Sequence, residues 1–163
     1  MVRIPSGEIV VTTTPDKVLK VNPTDGSTVT LSEGNRLWHP TAPTVETPRS
    51  VLVGTMVERN AEVGGVRAGV AGILRVNLQT GAQELVATGP FISIVGMAIE
   101  PTGSILIADN GRGAPGDGFL ARLDPTTRQT HMLVSVQTSD WKFHNGRSVA
   151  VFPGTSPRDA SQK

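Results

Sequence analysis

Short apolar segments separated by turn residues run through the whole chain. Glu8–Thr12, Ser50–Thr55 and Ser104–Ala108 are rich in Val, Ile and Leu, and each lies between Gly, Pro, Asn or Asp residues. This pattern is typical of β-strands. No window keeps apolar residues at i, i+3, i+4 and i+7 over three turns, as an amphipathic helix requires. The pattern therefore predicts an all-β protein.

The predicted strands recur in a repeat that begins near Pro5, Pro48, Pro101 and Pro153, at intervals of 43, 53 and 52 residues. Each full interval contains four strands, and four strands per ~45–50 residues are typical of β-propeller blades. The second strands are Val18–Asn22, Ile73–Asn77 and Leu120–Asp124; the third are Ser27–Leu31, Gln83–Val86 and His131–Val134; the fourth are Thr44–Glu46, Met97–Ile99 and Val149–Val151.

Turns of one type follow the second strand of each repeat. Asn22, Asn77 and Asp124 stand at its end, where their side chains are expected to close Asx turns. Gly26 and Gly81 follow four residues later and allow a positive φ.

The segments GMAIEPTGSILIADN (96–110) and LARLDPTT (120–127) resemble blades of bacterial propellers of the NHL-repeat and streptogramin-lyase-like type. The segment ILRVNLQTGAQELV (73–86) is similar to the second half of such a blade. The resemblance implies a β-propeller fold. Because these repeats occur in lyases, lactonases and binding modules, it implies no single function.

The strand count predicts about three blades, which is half of a six-bladed ring. With strands named A to D from the central channel outward, residues 1–153 form B-C-D, A-B-C-D, A-B-C-D and a last A strand at Ser148–Val151, while Val2–Ile4 are a clipped remnant of the first A strand. Propellers typically have ~4–8 blades. We therefore expect a homodimer in which the last A strand of each chain completes the first blade of its partner. The alternative is that the chain is a fragment of a longer propeller. Residues 154–163 are expected to form a flexible polar tail.

Composition narrows the function classes. The chain of 163 residues has 15 basic and 14 acidic residues, which leaves no surplus for a face that binds nucleic acid. No apolar run reaches the ~20 residues of a membrane helix, and the start of the chain lacks the apolar core of a signal peptide, so the cytoplasm is the default location. The absence of cysteine excludes disulfides, cysteine zinc sites and thiol nucleophiles.

The D–A connections and B–C loops of a propeller emerge on one face, where binding residues are expected. Alignment on the prolines without gaps places an aromatic residue at one position of three successive D–A connections, as Trp38, Phe91 and Phe143, followed by His39, Ile92 and His144. The structural interpretation of the aromatic position is that it forms a hydrophobic plug between blades. The candidate ligand-binding residues of this face are Trp38, His39, Glu58, Arg59, Asp109, Asn110, Arg112, Trp141, His144 and Asn145.

Three functions fit these observations. The first is a non-catalytic module that binds a ligand or protein through the loop face and needs no cofactor. The second is a lyase or lactonase-type enzyme assisted by a divalent ion such as Ca²⁺ or Mg²⁺, for which His144, Asp109 and Asn110 are candidate ligands. The third is a propeller fragment without independent activity.

Overall fold

The structure, a computed structural model, describes residues 1–55, 62–63, 66–67, 71–111 and 118–135. The regular secondary structure in these ranges consists of β-strands alone. The strands form three four-stranded antiparallel sheets and one short hairpin. The all-β fold with three four-stranded blades is therefore confirmed.

Blade 1 consists of β1 (Val2–Arg3), β2 (Ile9–Thr13), β3 (Lys17–Val21) and β4 (Thr28–Glu33). Blade 2 consists of β5 (Thr41–Thr47), β6 (Ser50–Gly54), β9 (Gly72–Asn77) and β10 (Gln83–Thr88). Blade 3 consists of β11 (Ile94–Ile99), β12 (Ile105–Asp109), β13 (Phe119–Leu123) and β14 (Thr130–Ser135). The hairpin is β7 (Glu62–Val63) with β8 (Val66–Arg67), inserted between β6 and β9.

The first blade has an inner strand of its own. Val2 pairs with Val10 and Arg3 pairs with Ile9, so the predicted remnant forms a two-residue A strand. The inner strands of blades 2 and 3 are longer, with seven and six residues. The predicted last A strand, Ser148–Val151, and the predicted tail at 154–163 lie outside the described residues.

The predicted Asx turns are present in all three blades. Backbone N–H groups donate to the side-chain oxygen of Asn22 (2.9 Å), Asn77 (2.8 Å) and Asp124 (2.7 Å). Four residues later φ is +72° at Gly26 and +71° at Gly81, as expected from the two glycines. The third blade has Arg128 at this position with φ 60°, although a residue with a Cβ adopts this conformation at a cost.

The hydrophobic core consists of two layers, each between neighbouring blades. The alternation of side chains along a strand gives every blade two faces, here called front and back. One core cluster joins the back of blade 1, including Val10 and Val18, to the front of blade 2. The other joins the back of blade 2 to the front of blade 3. The front of blade 2 contains Val51, Val53, Leu74 and Val76, and its back contains Leu52, Ile73 and Ala87. The front of blade 3 contains Ile105, Ile107, Ala121 and Leu123.

Inner strands of successive blades also contact one another. The hydroxyl of Thr44 on β5 donates to the carbonyl oxygen of Met97 on β11 at 3.0 Å. The hydroxyl of Thr41, also on β5, donates to the carbonyl oxygen of Ile94, also on β11. These bonds connect the inner edges of blades 2 and 3 where the A strands of a propeller surround its axis.

Candidate binding face

The structure brings D–A connections and B–C loops to one face, as the propeller topology predicts. The N–H of His39, in the first D–A connection, donates to the carbonyl oxygen of Pro15, in the B–C turn of blade 1, at 2.7 Å. The N–H of Asn110, at the start of a B–C loop, donates to the carbonyl oxygen of Ser93, in the second D–A connection, at 2.9 Å. We call the described residues 14–16, 34–42, 89–93 and 109–111 the loop face.

Trp38 and His39 are neighbours on the loop face. Their ring centroids lie 5.0 Å apart at an interplanar angle of 59°, and both side chains are half-buried. The backbone around them is unusual, because Asn35, His39 and Ala42 all have positive φ, at 54°, 40° and 46°. Such conformations carry strain and are concentrated at binding and catalytic sites.

The predicted aromatic plug is present in one of the two described D–A connections. Phe91 is 2% exposed and stacks on Phe119 with ring centroids 6.3 Å apart. In the first connection the residue buried in the core is Leu37, 1% exposed, and its neighbour Trp38 keeps part of its ring at the surface. An apolar residue therefore fills the space between blades in both cases, and Trp38 is left free for contacts at the loop face.

The gapless alignment on the prolines is wrong by one residue between blades 2 and 3. Arg75 and Arg122 each precede the Asx residue by two positions, and they pair with Leu52 and Leu106. Leu52 and Leu106 are therefore equivalent, although Leu52 lies four residues after its proline and Leu106 lies five after its own. The cause is the position of the proline in the A–B turn. The equivalent stretches Val45–Val51 and Ile99–Ile105 have the same length, but the proline is the third residue after Val45 and the second after Ile99.

Asp109 fixes the junction between a B strand and a D–A connection. Its Oδ2 accepts hydrogen bonds from the N–H groups of Ile92 and Ser93, both at 3.0 Å, and its Oδ1 accepts one from Gly111 at 2.7 Å. The side chain is buried, and burial raises the pKa of Asp109 although the three N–H donors oppose this. Both oxygens of the carboxylate thus hold the loop backbone in place.

Blade 2 uses a hydroxyl at the equivalent position. Thr55 follows strand β6 and is 5% exposed. Its Oγ1 accepts a hydrogen bond from the N–H of Gly72 at 2.9 Å, which joins the B and C strands where the inserted loop leaves the sheet. Polar residues at the ends of the B strands therefore stabilise the loop face from within. Asn110 is half-buried beside Asp109, and its backbone rather than its side chain makes the hydrogen bond described above.

The remaining sequence candidates cannot be placed on this face. Glu58, Arg59, Arg112, Trp141, His144 and Asn145 lie outside the described residues. Within the ranges that the structure describes, no three His, Asp or Glu side chains lie close enough together to hold a metal ion.

Sequence reasoning missed a repeated ion pair at the opposite end of the blades, near the A–B turns. Glu46 accepts two hydrogen bonds from Arg75, at 2.6 Å each, and Glu100 accepts two from Arg122, at 2.6 and 2.8 Å. Blade 1 has the weaker version, with Lys20 Nζ 3.7 Å from Glu8 Oε2. A signal was present in the sequence, because a basic residue precedes every Asx residue by two positions.

The ion pair in blade 2 is the more enclosed of the two. The side chain of Glu46 is 17% exposed and that of Arg75 is 32% exposed. Burial works against the charged form of Glu46, but hydrogen bonds from Arg75 and Ser50 outweigh it and hold the pKa of Glu46 below its ordinary value. The pair joins the A strand to the C strand across the intervening B strand.

Comparison with known proteins shows the fold and nothing finer. No family model matches the chain, and no curated protein matches it. Among solved structures, TolB from Acinetobacter baumannii is similar, with a TM-score of 0.50 and 16% sequence identity, over 78% of this chain and 30% of that chain. The chain thus spans less than a third of the length of TolB, a β-propeller-containing protein. Among the described residues, no helix has the length and hydropathy needed to cross a membrane. The three antiparallel sheets together with this similarity identify the chain as propeller-like.

Proposed function

We propose that the chain is a non-catalytic binding module that recognises a protein segment through its loop face. The observation that carries the proposal is the first D–A connection, where the half-buried Trp38 and His39 lie on a backbone with three left-handed non-glycine residues. Aromatic rings that are partly exposed and held rigidly are the usual anchors of protein interfaces. The propeller below this loop provides the rigid scaffold on which binding loops are commonly placed.

The role of Asp109 also favours binding over catalysis. The carboxylate was a candidate metal ligand, but its two oxygens already accept three backbone hydrogen bonds. Its burial and its bonds to Ile92, Ser93 and Gly111 give it an architectural task. Within the described part of the loop face, Trp38 and His39 therefore remain for recognition, together with the charged side chains of Asp16 and the exposed Arg36.

The finer family assignment is part of the proposal. The segment 96–110 that resembles NHL-repeat and streptogramin-lyase-like propellers covers most of β11, the turn after it and β12, and the segment 120–127 covers most of β13 and the turn after it. The resemblance thus follows three successive strands of one blade. We place the chain among binding propellers of this type.

Selection from a displayed random peptide library tests the proposal. We expect enriched peptides to bind the purified chain, and Trp38→Ala to weaken their binding by about tenfold or more, since truncating an aromatic anchor costs ~1.4 kcal/mol or more. Val29→Ala is the matched control, because Val29 is 66% exposed on the outer strand β4, away from the loop face. Thermal unfolding monitored by circular dichroism verifies that both variants fold. Peptides that bind Trp38→Ala as tightly as the original chain, or the absence of any enriched peptide, would contradict the proposal.

A further inference from the structure

Two sheet faces of the described blades, the front of blade 1 and the back of blade 3, have no other described sheet packed on them, whereas the equivalent faces of the other blades do. On the front of blade 1, the residues equivalent to the core residues of blades 2 and 3 are only half-buried, whereas those core residues are at most 1% exposed. The half-buried residues of this front face are Ile9, Val11, Leu19 and Val21.

The back of blade 3 shows the same deficit. Leu106, Leu120 and Val134 are half-buried on this face. By register they are equivalent to Leu52, Ile73 and Ala87, which are 0%, 0% and 3% exposed beneath blade 3.

A residue at a strand bulge shows directly what a following blade does. The pairing of each D strand shifts at one residue, which is Leu31 in blade 1, Val86 in blade 2 and Leu133 in blade 3. Val86 is 4% exposed under blade 3, whereas Leu133 is 39% exposed. Blade 3 therefore has the apolar residues of a covered blade without a described sheet to cover them.

We propose that the back of blade 3 docks on the front of blade 1 of a second copy of this chain, and that the two copies form a six-bladed ring. Each interface of such a ring repeats the two that the chain already makes, with an apolar back face on an apolar front face. The four faces inside the chain show that this combination packs to nearly complete burial. A net charge of +1 per chain produces little repulsion between two copies. This inference is independent of the proposed loop-face function.

The intrachain interface predicts which residues meet between copies. Ser32 on blade 1 accepts a hydrogen bond from Gln83 on blade 2 at 3.0 Å. By register, Val134 is equivalent to Ser32, and Thr28 is equivalent to Gln83. We therefore expect Val134 of one copy to lie beside Thr28 of the other.

Crosslinking tests this contact directly, because the chain has no cysteine of its own. Chains with Val134→Cys and chains with Thr28→Cys are co-expressed and treated with a short bismaleimide. We expect a crosslinked pair from the mixture and none from either variant alone, since the two Val134 positions of a closed ring lie in different interfaces. Self-crosslinking of single variants, or no crosslink from the mixture, would overturn the proposal.

Light scattering coupled to size exclusion provides the second measurement. The expected mass is twice the 17.1 kDa of one chain. Leu120→Glu and Leu19→Glu place a charge on either side of the interface and should raise the dissociation constant by ~100-fold or more. Val29→Glu, at a position already 66% exposed, should leave the mass unchanged. A soluble monomer of the original chain would show that the faces accept something other than a second copy and would refute the inference.

Discussion

Replacement of Gly81 by alanine tests the packing of blade 2 on blade 1. Gly81 has φ +71°, and a Cβ added there would meet the carbonyl oxygen of Leu31 on blade 1. The carbonyl oxygen of Gly81 also accepts a hydrogen bond from the hydroxyl of Ser32 at 2.7 Å. The turn thus lies so close to the preceding blade that any side chain must displace backbone atoms.

Two terms contribute to the expected cost. A left-handed conformation costs a residue with a Cβ about 1–2 kcal/mol. Overpacking against atoms that cannot rotate away adds about 1–3 kcal/mol. We therefore expect Gly81→Ala to lower the free energy of unfolding by ~2–5 kcal/mol, and a matched control should separate the two terms.

Gly103 is that control. It has φ +88° in the A–B turn of blade 3, and a Cβ there would meet no atom within 4 Å. Gly103→Ala should cost only the conformational term of about 1–2 kcal/mol. Urea unfolding of both variants at neutral pH measures the difference. Equal costs for the two substitutions would refute the argument that the blades approach each other through Gly81.

Four further substitutions, one of them a control, test other contacts by the same unfolding measurement. Asp109→Asn should lower the free energy of unfolding by about 1–3 kcal/mol, because the amide NH₂ would face a backbone N–H that now donates to the carboxylate. Asp124→Asn is the control and should leave stability unchanged, because asparagine closes the same turn in the other two blades. Glu46→Gln should cost about 1 kcal/mol at pH 7 through its weaker bonds to Arg75. The lowered pKa of Glu46 means that its contribution is present above its ordinary pKa of 4.5 and disappears as the pH falls, so this variant should lose less stability than the original chain on acidification. Arg128→Gly should stabilise by about 0.5–1 kcal/mol, since glycine adopts φ 60° without strain; any loss of stability would contradict this.

The strands could be read from the sequence because their signals are local. β-Branched runs between turn residues gave every strand of the three blades to within three residues, apart from the two-residue β1, which was expected only as a remnant. Asn22, Asn77 and Asp124 formed the expected turns because an Asx turn involves only neighbours in the chain. The short hairpin of β7 and β8 was missed, since two-residue strands carry too few residues to show alternation.

The loop face could be predicted only in outline. Topology placed the D–A connections and B–C loops together, but the task of Asp109 depends on N–H groups 16 and 17 residues earlier in the chain. The left-handed backbone at His39 accompanies a hydrogen bond to Pro15, 24 residues earlier in the chain, and no local pattern in the sequence signals that contact. Leu37 is buried between blades 1 and 2 and the adjacent Trp38 is only half-buried, a difference between two apolar neighbours that composition does not signal.

The two ends of the blades are stabilised by different means, and this difference supports recognition at the loop face. Near the A–B turns, carboxylate–guanidinium pairs such as Glu46 with Arg75 connect side chains of two strands, so a substitution there breaks a bond inside the sheet. At the loop face, Asp109 holds the second D–A connection through the N–H groups of Ile92 and Ser93, and the carbonyl oxygen of Pro15 holds the first through the N–H of His39. Every residue except proline provides such an N–H group. Side chains of the D–A connections can therefore change without loss of these bonds. Trp38 lies on such a segment, so its ring can contact a partner at little cost to the scaffold.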